Sequence, residues 1–409
     1  MEDNVRICQI YRLIMLITLF LYTSSSFSQI VQFRDTTIDS TVNAFREKWG
    51  IPGISVAIAK DGRLIYAKGI GLADTATMEP VTPHSLFRIA SCSKPITAMG
   101  IMKLIQDKKL GLDDTVFGNT GILDGYKNIP DERILKITVK NLLQQTIGWD
   151  EEDIVGHNTA SYALNTPYPS TPDDIIRFNL RKELDFPPTT DYRYSNFNYL
   201  VLGEIIKKVS GMKYEEFILQ EVLHPIEVYS TKTGKTKIED RAANEVHYYD
   251  YISDFAPCVF DTTQLVPLSY GGFYMESSAA GGGWISRPVD LVKILFAMDG
   301  HDILNRETIK LMTTTPDNIK SNYAMGWSVS GNSIHHTGAL TWGTSSIIYK
   351  RDDGICFAIT CNTLPASGKT EEEEMQSLYI YMKDLYELLP KTLMGITDYP
   401  VINLFNQYN

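Results

Sequence analysis

The sequence predicts an α+β fold, an antiparallel sheet flanked by helices and joined to a mostly helical region. Three observations carry this reading. Apolar hairpins with glycine-containing turns bracket the chain, one near residue 60 and one near residue 350. Between them the spacing of apolar residues is mostly helical. The composition, 409 residues with 44% hydrophobic, 21% charged and 11% aromatic, is that of a globular protein able to bury one large core or two medium ones.

The elements follow in order. Arg6 and Arg12 precede a ten-residue apolar run, Leu13 to Tyr22, and Ser26-Phe27-Ser28 before Gln29 offers a signal-peptidase site. A spanning helix needs roughly 20 apolar residues, so the run predicts a cleaved leader over residues 1–28 in preference to a retained anchor. Export to the periplasm or the medium follows, with no stable membrane span after processing. Cys8 lies before the apolar run, on the wrong side for lipoprotein processing. Ile54 to Lys60, the Asp61-Gly62 turn and Arg63 to Lys68 form the first hairpin. Ala98, Ile101, Met102 and Ile105 mark a helix ending near Gly111, and Tyr199 to Val209 a second, closed by Ser210-Gly211. The Lys/Thr-rich stretch Thr231 to Lys237, which holds Lys232-Thr233-Gly234, reads as a solvated loop. Ser286 is placed to cap a helix with Pro288 in its first turn that runs to Met298. Ser345 to Lys350, Asp352-Asp353-Gly354 and Ile355 to Cys361 make the second hairpin, and Glu371 to Leu389 a last helix.

Strands at both ends and helices between them imply one sheet built from the two ends of the chain. The expected division is an α/β domain over 29–100 and 280–390, a mostly helical domain over 101–279, and a tail over 391–409. Lys and Arg number 38 against 49 Asp and Glu, a net charge of −11 that removal of residues 1–28 leaves unchanged. An acidic chain lacks the basic footprint of a nucleic-acid binder. Past the leader Cys92, Cys258, Cys356 and Cys361 remain, too few for a disulfide scaffold. Five residues along one strand separate Cys356 from Cys361 by about 16 Å, too far to bridge. The seven histidines are scattered and form no metal-ligand cluster, so neither metal nor organic cofactor is expected.

Three motifs carry chemistry. In Ser91-Cys92-Ser93-Lys94, a serine three residues before a lysine puts hydroxyl and ammonium on one helical face. The amine can stabilise or relay the serine proton, and a helix start supplies N–H groups for an oxyanion. In Tyr194-Ser195-Asn196, a cation such as Lys94 would pull the phenol down from about 10 into the range of a base. Asn196 offers a donor and an acceptor for orienting substrate or lysine. In His336-Thr337-Gly338, strand alternation lets only one of His335 and His336 face a cleft. Gly338 permits close backbone approach, and the Ala339 N–H can join that of Ser91 in an oxyanion hole. None of these spacings is specific alone. Ser210-Gly211-Met212-Lys213 repeats the first, Tyr126-Lys127-Asn128 the second, and Lys232-Thr233-Gly234 resembles the third.

Taken together, the motifs resemble those of the serine β-lactamase and penicillin-binding-protein superfamily, and more closely its class C-like β-lactamase-related hydrolases. The resemblance runs over residues 36–390. It includes Pro52-Gly53, Phe87-Arg88-Ile89-Ala90, Lys109 to Asp114, Leu142-Leu143, Gly203, Ala280-Gly281-Gly282 and Asp290-Leu291. It implies that Ser91 is an acyl-enzyme nucleophile, Lys94 its proton-transfer partner, Tyr194 the general base and Asn196 a contact to substrate and lysine. His336 would stand where β-lactamases carry lysine, with Thr337, Gly338 and Ala339 along the substrate. Loss of that fixed charge lowers the expectation of strong β-lactamase activity. Gln144 to Gly148 and Ala339 to Gly343 depart from the pattern, and Trp342 would line the mouth. The implied function is an exported serine hydrolase acting on a small-molecule or short-peptide substrate. An esterase, a D-peptidase or carboxypeptidase, and a β-lactamase-like enzyme all fit. The alternative is a penicillin-acylated sensor with little turnover.

Overall fold

The computed structural model describes residues 37–150, 158–250, 255–300, 302–340, 343–365, 370–394, 399 and 402–408. The leader and Thr341-Trp342 lie outside these residues.

Helix α1 (37–48) leads into strands β1 (Gly53–Lys60), β2 (Arg63–Asp74), β3 (Glu79–Pro80) and β4 (Phe87–Arg88). The central part holds helices α2 (Ser93–Gln106), α3 (Val139–Leu143), α4 (Thr159–Leu164), α5 (Pro172–Asn179), α6 (Asn196–Ser210) and α7 (Tyr214–Ile218). Short strands β5 (Lys232–Thr233), β6 (Phe255–Pro257), β7 (Leu265–Pro267) and β8 (Trp284–Ser286) follow, then helices α8 (Pro288–Ala297) and α9 (Arg306–Met312). Strands β9 (Ser328–Ser330), β10 (Ser333–Leu340), β11 (Thr344–Arg351) and β12 (Ile355–Cys361) precede helices α10 (Glu371–Glu387) and α11 (Pro390–Met394).

The principal sheet runs β3-β2-β1-β12-β11-β10-β9 and its pairs are antiparallel. Its centre joins the two ends of the chain, with Ala57 of β1 opposite Ala358 of β12. Strand alternation sorts the side chains to two faces. Ile54, Val56, Ile58, Phe357 and Ile359 meet α1 and α10 through Val42, Phe45, Tyr381 and Leu385. On the other face, Ala57, Ala59 and Ala358 join the larger core containing α2, α6 and α8. Small side chains there let the helices lie close to the backbone. Helix α8 is buried almost throughout and packs on β1, β11 and β12.

Three sequence expectations change. Ser286 ends β8 rather than capping α8, and its hydroxyl pairs with Thr231 at 2.7 Å; the cap position belongs to Arg287. Lys232-Thr233-Gly234 is not a solvated loop. It pairs with β8, Thr233 is buried on Glu215, and the Gly234 N–H donates to the Gly283 carbonyl at 2.7 Å. The local sequence lacks the apolar alternation of a strand because the partner β8, with Trp284 and Ile285, supplies the burial. Finally, α6 begins at Asn196, ahead of the expected Tyr199, because the Ser195 hydroxyl caps it by accepting from the Phe197 N–H at 3.3 Å.

Candidate active site

Ser91 sits in a single 3-10 turn, Ala90–Cys92, that feeds directly into α2. Hydrogen bonds fix its neighbours. Ser93 donates to the Ala90 carbonyl at 2.7 Å, Ser346 donates to the Ile89 carbonyl at 2.7 Å, and Cys92 is buried with its Sγ donating to the His336 carbonyl at 3.3 Å. Ala90 holds φ at +46°, an uncommon conformation for a residue with a side chain, and Ser91 itself stays part-exposed. Burial pushes the Cys92 thiol up to about 12, so it is a core residue and not a second nucleophile.

Lys94 lies one turn along α2 and is fully buried. Its Nζ stands 3.0 Å from Ser91 Oγ, 2.7 Å from Asn196 Oδ1 and 2.8 Å from the Gly281 carbonyl. Among the described residues no carboxylate pairs with it. Burial therefore pulls its pKa down to about 7. A neutral amine has two hydrogens and one lone pair, which match the two carbonyl oxygens and the serine hydroxyl in turn. The Gly281 carbonyl reaches the amine because Gly203 lets α6 pass tightly by Ala280, where an added Cβ would lie 2.8 Å from the alanine's own.

Tyr194 places its ring 4.7 Å below the Lys94 amine, and its hydroxyl interacts with Ser91. The expectation that Lys94 draws this phenol down toward a base is reversed. Burial, reinforced by Tyr323 and Tyr192, holds the phenol well above the ordinary tyrosine value. A half-neutralised lysine supplies little positive charge, and desolvation wins. Asn196, at the first turn of α6, accepts from the Lys94 amine through its Oδ1.

Strand β10 forms the opposite wall. It pairs with β9 only over Ser333–His335, so among the described residues its edge beyond His335 has no strand partner. His336 points inward and is buried, whereas His335 points to the other face, where it stacks on Tyr349 and lies tilted against Tyr386. A Cβ on Gly338 would overlap the Ile89 carbonyl and the Ser346 hydroxyl and come within 3.1 Å of the Ser91 nitrogen. Glycine alone lets the strand lie against the nucleophile's N–H. Thr337 and Ala339 flank it, both part-buried. The structure thus brings Ser91, Lys94, Tyr194, Asn196, His336 and Gly338 together in one cluster.

His336 is neutral. Its Nδ1–H donates to the Thr337 carbonyl at 2.7 Å, leaving Nε2 to accept from the Tyr323 hydroxyl at 3.2 Å. Burial, with Lys94 adding repulsion, lowers its pKa to about 3. Tyr323 was not legible as a site residue, being one of 23 tyrosines with no motif around it. Here it closes an aromatic wall with Tyr192 and Tyr194, their ring centres 5.9 and 6.0 Å from its own. Among the described residues no cluster of His, Cys, Asp or Glu could hold a metal ion.

A sheet of this order, with a serine-lysine pair at the start of the buried helix beside it, defines the serine β-lactamase and penicillin-binding-protein fold. A family model described as Beta-lactamase matches residues 38–379, and the chain belongs to that family. Among curated proteins it is similar to Protein flp of Staphylococcus aureus (strain MW2), 26% identical over 331 residues. That match takes in 80% of this chain but only 63% of the relative's length. Among solved structures, the octameric penicillin-binding protein homologue from Pyrococcus abyssi aligns with a TM-score of 0.62 and 26% identity, covering 85% of this chain and 77% of that one. The D-amino acid amidase from Ochrobactrum anthropi SV3 shares the fold, with a TM-score of 0.64 and 23% identity over 88% of this chain and 100% of the amidase.

Proposed function

We propose that this chain is a serine hydrolase that forms an acyl-enzyme at Ser91 on a small ester or amide without a carboxylate near the scissile bond. One observation carries the reading: a buried lysine amine, free of any acidic partner among the described residues, lies 3.0 Å from the hydroxyl of a part-exposed serine. Near neutral pH its lone pair takes the Ser91 proton as Oγ adds to the substrate carbonyl. The Ser91 and Ala339 N–H groups receive the developing oxyanion, an interaction typically worth about 10²–10³ in rate. Collapse of the intermediate expels the alcohol or amine, protonated by the Tyr194 hydroxyl, which recovers a proton from the Lys94 ammonium. Water then attacks the acyl-enzyme with Lys94 as base, and Ser91 regains its hydrogen.

The neutral His336 sets the substrate class. Where a lysine would attract a carboxylate, this wall offers an uncharged imidazole and aromatic faces. Esters and the amides or short peptides of D-amino acids fit better than carboxylate-bearing β-lactams. The D-amino acid amidase among the fold neighbours is consistent with that range. We place the activity outside the cytoplasm on the strength of the leader; a mature N-terminus at Gln29 in secreted protein tests this.

The test of the activity is a rate panel of p-nitrophenyl esters, D-amino-acid amides, D-Ala-terminated peptides and a chromogenic cephalosporin. Turnover of an ester or D-amide at least roughly tenfold above the cephalosporin in kcat/KM is expected, since one fixed charge is worth about that much. A cephalosporin turned over fastest, or a permanent label on Ser91 with every reagent, contradicts the proposal.

A further inference from the structure

We infer that Gln145 is a positioning residue that holds Tyr194 and Asn196 against the Ser91–Lys94 pair. The inference rests on the hydrolase reading above and names a part of that site for which the motifs give no role. Gln145 lies just past α3, fully buried, with φ at +62°. That left-handed backbone is uncommon for a long side chain, and here the residue turns two acceptors on one loop.

Its main-chain carbonyl accepts from the Arg193 N–H at 3.0 Å. Its side-chain Oε1 accepts from the Ser195 N–H at 3.0 Å and from the Asn198 amide. The residues on either side of Tyr194 are therefore both tied to Gln145. The helix that opens with Asn196 is tied to it as well, through Asn198. The same amide sits beside the Tyr323 hydroxyl, which bonds the His336 imidazole. One residue spans the tyrosine loop and the aromatic wall facing it. Catalytic geometry must be held within a fraction of an ångström, and a supporting residue that fixes the loop's N–H groups does this without touching substrate. An apolar replacement would leave the buried Ser195 N–H with no acceptor.

The test uses the full chain and two readouts. Hydrogen exchange followed by mass spectrometry reads the peptide spanning residues 190–198, and stopped-flow hydrolysis of p-nitrophenyl butyrate reads kcat and KM. Gln145→Leu is expected to exchange at least tenfold faster in that peptide with α2 unchanged. Its kcat is expected to fall about 10–100-fold with KM within about threefold, as misplacement of a catalytic group does. Gln145→Glu, which keeps an acceptor for the Ser195 N–H, is expected to restore most of both. If Gln145→Leu does not fold, Gln145→Asn, one methylene short of Ser195, is judged by the same criteria. Exchange and kcat both within twofold of wild type overturn the inference, as does a loss that Gln145→Glu shares in full. If wild-type protein hydrolyses no ester and Ser91 takes no label, the hydrolase reading falls, and the exchange result alone decides the role of Gln145.

Discussion

Ser91–Lys94 and Ser210–Lys213 have the same spacing and opposite surroundings. The first pair stands where a 3-10 turn enters a buried helix, with its lysine sealed from water and touching the serine at 3.0 Å. The second stands where α6 ends. Ser210 bends back to donate to the Ile206 carbonyl at 2.6 Å and accepts the Met212 N–H at 3.1 Å, while Gly211 takes a left-handed φ of +72° and Lys213 is exposed. One serine caps backbone; the other has backbone arranged around it. The lesson concerns burial of the amine. Lys213 is exposed, whereas Lys94 loses its water without gaining a carboxylate, and that burial pulls its pKa down to about 7.

Substitution breaks the comparison most sharply at the serines. Ser91→Ala is expected to lower ester hydrolysis by roughly 10³-fold or more with an unchanged circular dichroism spectrum, and Ser210→Ala to leave the rate within twofold. Equal losses in the two variants would show that the spacing alone was misread. At the lysines, Lys94→Met is expected to cost about 10²–10⁴ in kcat, the usual contribution of a positioned base, and Lys213→Met nothing measurable. Lys94→Met is also expected to melt no lower than wild type, because an apolar side chain of similar length relieves a desolvated amine. A large fall in Tm would mean the amine's hydrogen bonds outweigh its desolvation.

Smaller effects sharpen the account. Tyr194→Phe removes the hydroxyl beside Ser91 and keeps the ring beneath Lys94, so a loss of about 10² in kcat with little change in KM is expected. A wild-type rate would leave Lys94 as the sole proton carrier. His336→Lys introduces the absent charge, and kcat/KM for a carboxylate-bearing β-lactam relative to a neutral ester is expected to rise roughly tenfold. No change in that ratio would place the substrate carboxylate elsewhere.

Much of this was legible in the sequence, for physical reasons. The two hairpins announce themselves through alternation and through turns at Asp61-Gly62 and Gly354, and the observed strands cover the expected residues. The three motifs each name a residue type whose chemistry needs close partners, and the fold brings them together. What escaped depends on contacts that leave no local mark. The strand at Lys232-Thr233 is apolar only through its partner β8. The high pKa of Tyr194 comes first from its burial and then from Tyr323, which is more than a hundred residues away in sequence. Gln145 looked like a departure from the family pattern because its partners, Arg193, Ser195 and Asn198, are known only once the chain is folded.

The neutral lysine is the centre of the account, and the pH dependence of Ser91 acylation tests it most directly. Under single-turnover conditions with p-nitrophenyl acetate, label on the Ser91 peptide is expected to form about tenfold more slowly for each pH unit below 7, where Lys94 keeps its proton, and at a constant rate from about pH 8 to 9. A rate that still climbs steadily to pH 10, as an ordinary lysine would dictate, or label residing on any other residue, would contradict it.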